Sequence, residues 1–199
     1  MSLKKRKKRN MKFVEPIRDR KKIESMKKIL SAQSDRDYLL FKIGMNSAFR
    51  ISDLISMQFK HVINKQGKAL SHFVINEKKT GKVNKIALSK SVKKSVEDYA
   101  RKYYSDHLDE YLFKSRKGHN KPISRVQAWQ IIRDAAAEVG LENIGTHSLR
   151  KTFGYHQYRN GTSIAILMTL FNHSSESITL RYIGITQDDK DQAVQSLDL

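Results

Sequence analysis

The segment Thr146-His147-Ser148-Leu149-Arg150 sets an imidazole and a guanidinium three positions apart. On a helical turn that spacing projects both groups from one face, so the two can converge on a single anion. Other groups able to handle a phosphodiester stand apart in the chain: Arg50 and Lys79 upstream, His173 and Tyr182 downstream. Attack by a phenol on a phosphodiester needs three things. A nucleophilic oxygen must lose its proton, the charge on the phosphoryl oxygens must be held, and the departing sugar oxygen must be protonated. A phenol of pKa ~10 is weak at neutral pH, so Tyr182 requires a nearby base or cationic surroundings. Arg50 and Arg150 carry planar, permanently charged forks that can hold non-bridging oxygens bidentately. His147 titrates near ~6.5 and is the plausible proton acceptor, while His173 can donate a hydrogen bond to the phosphate. Metal chemistry is the weaker alternative: His147 and His156 stand nine apart, with no cysteine and no paired acidic ligands. A serine nucleophile at Ser148 lacks the glycine-flanked elbow such serines need.

These groups need elements to position them. Residues 1–20 are polar and cationic, contain Pro16 and show no sustained periodicity, so a flexible basic segment is expected there. Ile23, Met26 and Leu30 predict a first amphipathic helix; Tyr38, Leu39 and Ile43 predict a second over Asp35 to Asn46, with Arg50 directly after it. Phe73-Val74-Ile75 and Lys85-Ile86-Ala87-Leu88 read as hairpin strands around a polar stretch with Gly81 at its turn. Val92, Val96, Tyr99 and Tyr103 predict a helix with an aromatic inner stripe. Ser124-x-x-Gln127 predicts a capped helix whose Val126, Trp129, Ile132, Ala136 and Val139 face inward until Gly140. The His147–Arg150 helix should end at Asn160-Gly161, Ser163 should cap the next, and a last short helix should carry Tyr182. Tyr104, Tyr155 and Tyr158 have no partner motif and are read as packing residues.

Composition points to the same class of partner. The 39 Lys and Arg exceed the 20 Asp and Glu to give a net charge of +19, and removing the run Lys4 to Arg9 still leaves +13. A basic body of this kind suits a polyanion, because phosphate contacts dominate affinity for nucleic acid. At 199 residues the chain has room for one domain with a sizeable core. It has no cysteine, which excludes disulfides and thiolate metal sites. No apolar run approaches the ~20 residues of a membrane-spanning helix, and no secretory signal follows the basic start, so a cytoplasmic protein is expected.

In this order and these settings the motifs resemble the tyrosine recombinases of the phage integrase family, over most of the chain from about Ile23 onward. Ser47-Ala48-Phe49-Arg50-Ile51-Ser52-Asp53-Leu54 is similar to the family's first arginine motif, the hairpin lysine in Lys79-Thr80 to its catalytic lysine, and Asn172-His173-Ser174-Ser175 with Arg181-Tyr182 to its C-terminal signature. The resemblance implies an α+β, mainly helical catalytic domain with a small antiparallel sheet over residues 21–199, without the separate N-terminal domain such enzymes usually carry. It implies Arg50, Lys79, His147, Arg150, His173 and Tyr182 as catalytic residues, Lys79 protonating the leaving 5′ oxygen. Asp53 is the expected carboxylate orienting Arg50 or His147, or else a first-turn helix acid. Lys78, Lys82 and Lys151 are the expected DNA contacts, Lys78 and Lys82 lying close enough to compete with Lys79 for the catalytic role. The implied partner is double-stranded DNA, bound by a homotetramer that can be monomeric in solution, with no metal or other cofactor. Asn172, Ala48 and Lys151 depart from the family pattern, which usually has Gly, Gly and a second His at these places. Two alternatives stay open: a type IB topoisomerase, disfavoured by His147 where those enzymes usually carry lysine, and a DNA-binding remnant without activity.

Overall fold

The computed structural model describes residues 14–76 and 83–197. Helices α1 (Arg20–Gln33) and α2 (Asp35–Met45) pack on each other and are joined at Ser34, whose extended backbone ends the first helix while its hydroxyl accepts from the Asp37 amide. A side-chain oxygen at the N-cap satisfies one of the orphan amides at a helix start. Serines do the same at Ser89 for α4 (Lys90–Tyr103), Ser124 for α5 (Arg125–Glu138), Ser163 for α7 (Ile164–Phe171) and Ser175 for α8 (Glu176–Ile183). Between them lie the short α3 (Ile51–Ile55), the long α6 (Thr146–Arg159) and the terminal α9 (Gln187–Gln195).

One antiparallel hairpin, β1 (His72–Asn76) and β2 (Val83–Ala87), pairs Phe73 with Ile86 and Ile75 with Asn84. Strand alternation turns Phe73, Ile75 and Ile86 inward and leaves Val74 and Val83 exposed. The Phe73 ring meets Phe49 edge-on at 5.5 Å, which ties the hairpin to the residue just before Arg50. The hairpin tip, with Lys78, Lys79 and Lys82, lies outside the described residues.

Helix α2 is buried on two sides and divides the core. Leu39, Leu40 and Ile43 join the apolar cluster of α3, the hairpin and α4; Phe41 joins Met26, Leu30, Ile132 and Leu149 on the other side. Helix α6 crosses α2 at Gly44, where a Cβ would stand 2.6 Å from Leu149 Cδ1.

Three expectations from sequence are corrected. The segment expected to be flexible through residue 20 is packed from residue 14: Ile17 is 1% exposed, its amide donates to Thr152 Oγ1 at 2.7 Å, and the Glu15 amide donates to the Asn143 carbonyl at 3.0 Å. Helix α5 buries Ala128, Ile132, Ala135 and Ala136, leaving Val126 64% and Trp129 40% exposed, with Arg133 stacked on the indole at 4.5 Å. The small alanines let α5 sit close to its neighbours, so the buried stripe is rotated away from the bulky residues. In α4, Val92, Val96 and Tyr99 face inward as expected, but Tyr103 is exposed and its hydroxyl donates to Asp35 at 3.0 Å.

Candidate active site

Arg150 is the structural centre of the site. It is 4% exposed, and its guanidinium donates to the Ala48 carbonyl and, at 2.8 Å, to the Phe171 carbonyl. One side chain of α6 thus joins the turn before α3 to the end of α7. The Phe171 carbonyl is among those a helix C-terminus leaves unpaired, and a cation there also meets the negative end of the helix dipole. The guanidinium carbon lies 4.8 Å over the Phe171 ring.

The chain reverses after α7 at Asn172, which adopts φ 53° and ψ 50°, while the His173 amide donates back to Met168 at 3.0 Å. Asparagine is one of the few non-glycine residues that visits this left-handed region routinely, which explains its tolerance where the family usually has glycine. The turn aims His173 into the site. Its Nδ1 is 3.1 Å from Thr179 Oγ1 on α8, and its ring meets the Tyr182 ring edge-on at 5.0 Å. Tyr182 also packs at 5.4 Å on Phe171. Arg50 stands half-buried at the N-cap of α3, with Asp53 fully buried one turn on.

Electrostatics ties these groups into one neighbourhood. Burial raises the Tyr182 phenol above its ordinary value, while the charge and hydrogen bond of Arg150 and the charge of Arg50 pull it back down. Desolvation lowers His147, reinforced by Arg150, Arg125, Lys151 and Arg50; His173 is lowered by desolvation and then by Arg150 and Arg50. Two guanidiniums therefore act on the phenol and on both imidazoles. His147, at the solvent-facing mouth, shares with Tyr182 a cavity of about 330 Å³ also lined by Val14, Lys151, Ile178 and Arg181.

A family model described as the phage integrase family matches residues 3–188. The chain belongs to the phage integrase family. It is 49% identical over 178 residues to the probable integrase/recombinase YoeC of Bacillus subtilis, covering 89% of this chain and 93% of that one. Tyrosine recombinase XerA of Pyrococcus horikoshii is 26% identical over 178 residues, 88% of this chain and 60% of its own length. Among solved structures, XerA recombinase superposes with a TM-score of 0.74 at 17% identity, covering 94% of this chain and 65% of that one. XerH recombinase in a post-cleavage complex with its palindromic difH substrate gives 0.69 at 15% identity, covering 92% and 52%. The last two similarities bear on the fold, which is that of a tyrosine recombinase catalytic domain. The chain spans about 60% of the length of XerA.

Among the integrase residues expected from sequence, Arg50, His147, Arg150, His173 and Tyr182 come together in this site. Lys79 and its neighbours Lys78 and Lys82 fall outside the described residues. Lys151, expected among the DNA contacts, is 5% exposed, and its ammonium donates to the Val14 carbonyl at 2.7 Å and lies 5.5 Å over the Tyr182 ring. Sequence reasoning missed Arg125, which begins α5 and acts on His147, and gave no role to Arg181, which stands beside Tyr182 and lines the cavity. Nothing in the spacing of Arg125 marks it, because the chain brings α5 and α6 together only through the turn at Gly140 to Gly145.

Proposed function

We propose that the chain cuts and rejoins DNA one strand at a time through a 3′-phosphotyrosyl link on Tyr182. The carrying observation is that the Tyr182 ring packs edge-on against His173 at 5.0 Å and on Phe171, whose carbonyl holds buried Arg150, while the phenol and both imidazoles lie in the field of Arg50 and Arg150. The phenolic oxygen forms a bond to phosphorus as the bond from phosphorus to the 5′ oxygen breaks. His147 takes the phenolic proton, and the 5′ oxygen receives its proton from Lys79 on the hairpin. Arg50 and Arg150 hold the non-bridging oxygens, with His173 donating a further hydrogen bond. Asp53, one turn beyond Arg50, orients it.

Arg150 is held by main-chain oxygens before substrate arrives, so its charge is in place at no cost of rearrangement, and preorganised charge is commonly the largest catalytic contribution. The phosphotyrosyl ester conserves the phosphoester's energy, so a 5′-hydroxyl of a partner duplex can reverse the step without ATP or metal. Exchange between two duplexes calls for several copies, hence a homotetramer assembled on DNA from a species that is monomeric in solution, acting in the cytoplasm on chromosomal or mobile-element DNA. The net charge of +19 supports the double-stranded DNA partner.

A nicked suicide duplex tests the proposal. The parent protein should accumulate a covalent adduct, and Tyr182→Phe should bind the duplex with no adduct. Tight binding without adduct by the parent, or an adduct formed by Tyr182→Phe, overturns it.

A further inference from the structure

We propose that Lys151 is a positioning residue for the nucleophile, its ammonium clamped between the Val14 carbonyl and the face of the Tyr182 ring. This rests on Tyr182 being the nucleophile. Adjacent positions on a helix diverge, so Arg150 and Lys151 leave α6 in different directions, and Tyr182 lies between their ends. The charge of Arg150 acts on its phenol, and Lys151 Nζ lies 5.5 Å from its ring centroid. A cation within about 6 Å of an aromatic face is attracted to it, the more so when desolvated. Two neighbouring cations of α6 therefore act on one side chain, Lys151 at the face of its ring.

The extended segment from Val14 to Arg18 completes the clamp. It runs along α6, held by Lys151 Nζ to the Val14 carbonyl at 2.7 Å, by the Ile17 amide to Thr152 at 2.7 Å, and by His156 Nε2 at 3.0 Å from the Ile17 carbonyl. At its far end Arg18 donates at 2.8 Å to the carbonyl of Gly184, the C-cap of α8 two residues beyond Tyr182. The segment thus touches the nucleophile's helix at its end and, through Lys151, at the ring itself. Lysine is almost never buried unless something compensates its charge. Here the main-chain oxygen and the ring compensate it, whereas a methionine of similar length would fill the same space without that cost. Burial lowers the Lys151 pKa, with Glu15 raising it and Arg18 lowering it further, in line with an ammonium enclosed by this segment.

The test compares single-turnover cleavage of a nicked duplex with DNA affinity. Lys151→Met should bind DNA as the parent does yet cleave about 10-fold or more slowly, the size expected when ring and phosphate are slightly misplaced. Because the chain has no cysteine, Lys151→Cys can be alkylated at one place only. Treatment with 2-bromoethylamine in denaturant followed by refolding restores an ammonium at nearly lysine length and should recover cleavage; iodoacetamide leaves a neutral amide and should not. This pair decides the matter if Lys151→Met fails to fold. Cleavage by Lys151→Met at the parent rate overturns the inference, as does equal recovery by both alkylated forms. So does a fall in DNA affinity with a weaker salt dependence, which would make Lys151 a phosphate contact. A parent protein that forms no adduct refutes instead the reading of Tyr182 on which this rests.

Discussion

Gly154 is the point where a single methyl group should separate folding from catalysis. It lies buried on α6, and a Cβ built there would stand 2.6 Å from Ile183 Cγ2, 2.6 Å from Phe171 Cζ and 2.7 Å from Phe171 Cε2. Ordinary contact begins at 3.4 Å, so two fully buried neighbours would each have to withdraw by most of an ångström. Forcing a methyl into a filled core costs about 1–3 kcal/mol. Replacing a mid-helix glycine by alanine returns about 1 kcal/mol. Gly154→Ala should therefore lose about 0–2 kcal/mol in urea unfolding and remain folded. The neighbours that must move carry the site: the Phe171 carbonyl holds Arg150, and Ile183 follows Tyr182. A displacement of about 1 Å commonly costs about 100-fold in rate, so cleavage of a nicked duplex should fall by that order with DNA affinity retained. A variant as stable and as fast as the parent would refute the claim that this contact sets the distance between α6 and α8.

Three further outcomes follow from the structure. His61, His147, His156 and His173 are each lowered below the ordinary histidine value of 6.5, with burial the leading cause, so the unfolded chain binds more protons than the folded one around and below that value. Stability should be fully present above pH 6.5 and fall as pH drops through the lower folded values; an unfolding free energy that rises on acidification from 6.5 to 5.5 contradicts this. Cleavage that needs neutral His147 should be half-maximal below 6.5, which a pH profile of the single-turnover rate checks. Asn172→Ala should cost about 1 kcal/mol because an ordinary side chain is strained in the left-handed region, while Asn172→Gly should be neutral within about 0.5 kcal/mol; equal values by urea unfolding would contradict the role of that turn.

Much of the site was legible in the sequence because its residues sit in short motifs whose local geometry does the placing. The spacing of His147 and Arg150 works within one helical turn, and the serine caps before α5 and α7 mark where those helices begin. The hairpin strands showed in their alternation. What the sequence hid depends on packing between distant segments. Ile17 carries no periodicity of its own and is buried only because α6 offers Thr152 to its amide. Lys151 reads as one more surface cation among 39 basic residues until the fold shows its ammonium turned under the Val14 carbonyl. Trp129 looks like core by size, yet alanines bury better where α5 meets its neighbours at short range.

The manner in which Arg150 is held has a consequence for where binding energy is concentrated. The Ala48 and Phe171 oxygens solvate the guanidinium as water would, but they are fixed in place and hold it in one orientation. Low surrounding polarity amplifies what that charge can do. In the reaction proposed, the scissile phosphate is the anion that this oriented charge meets, so part of the protein's affinity for DNA is focused on the one phosphorus to be cut and not shared evenly along the duplex.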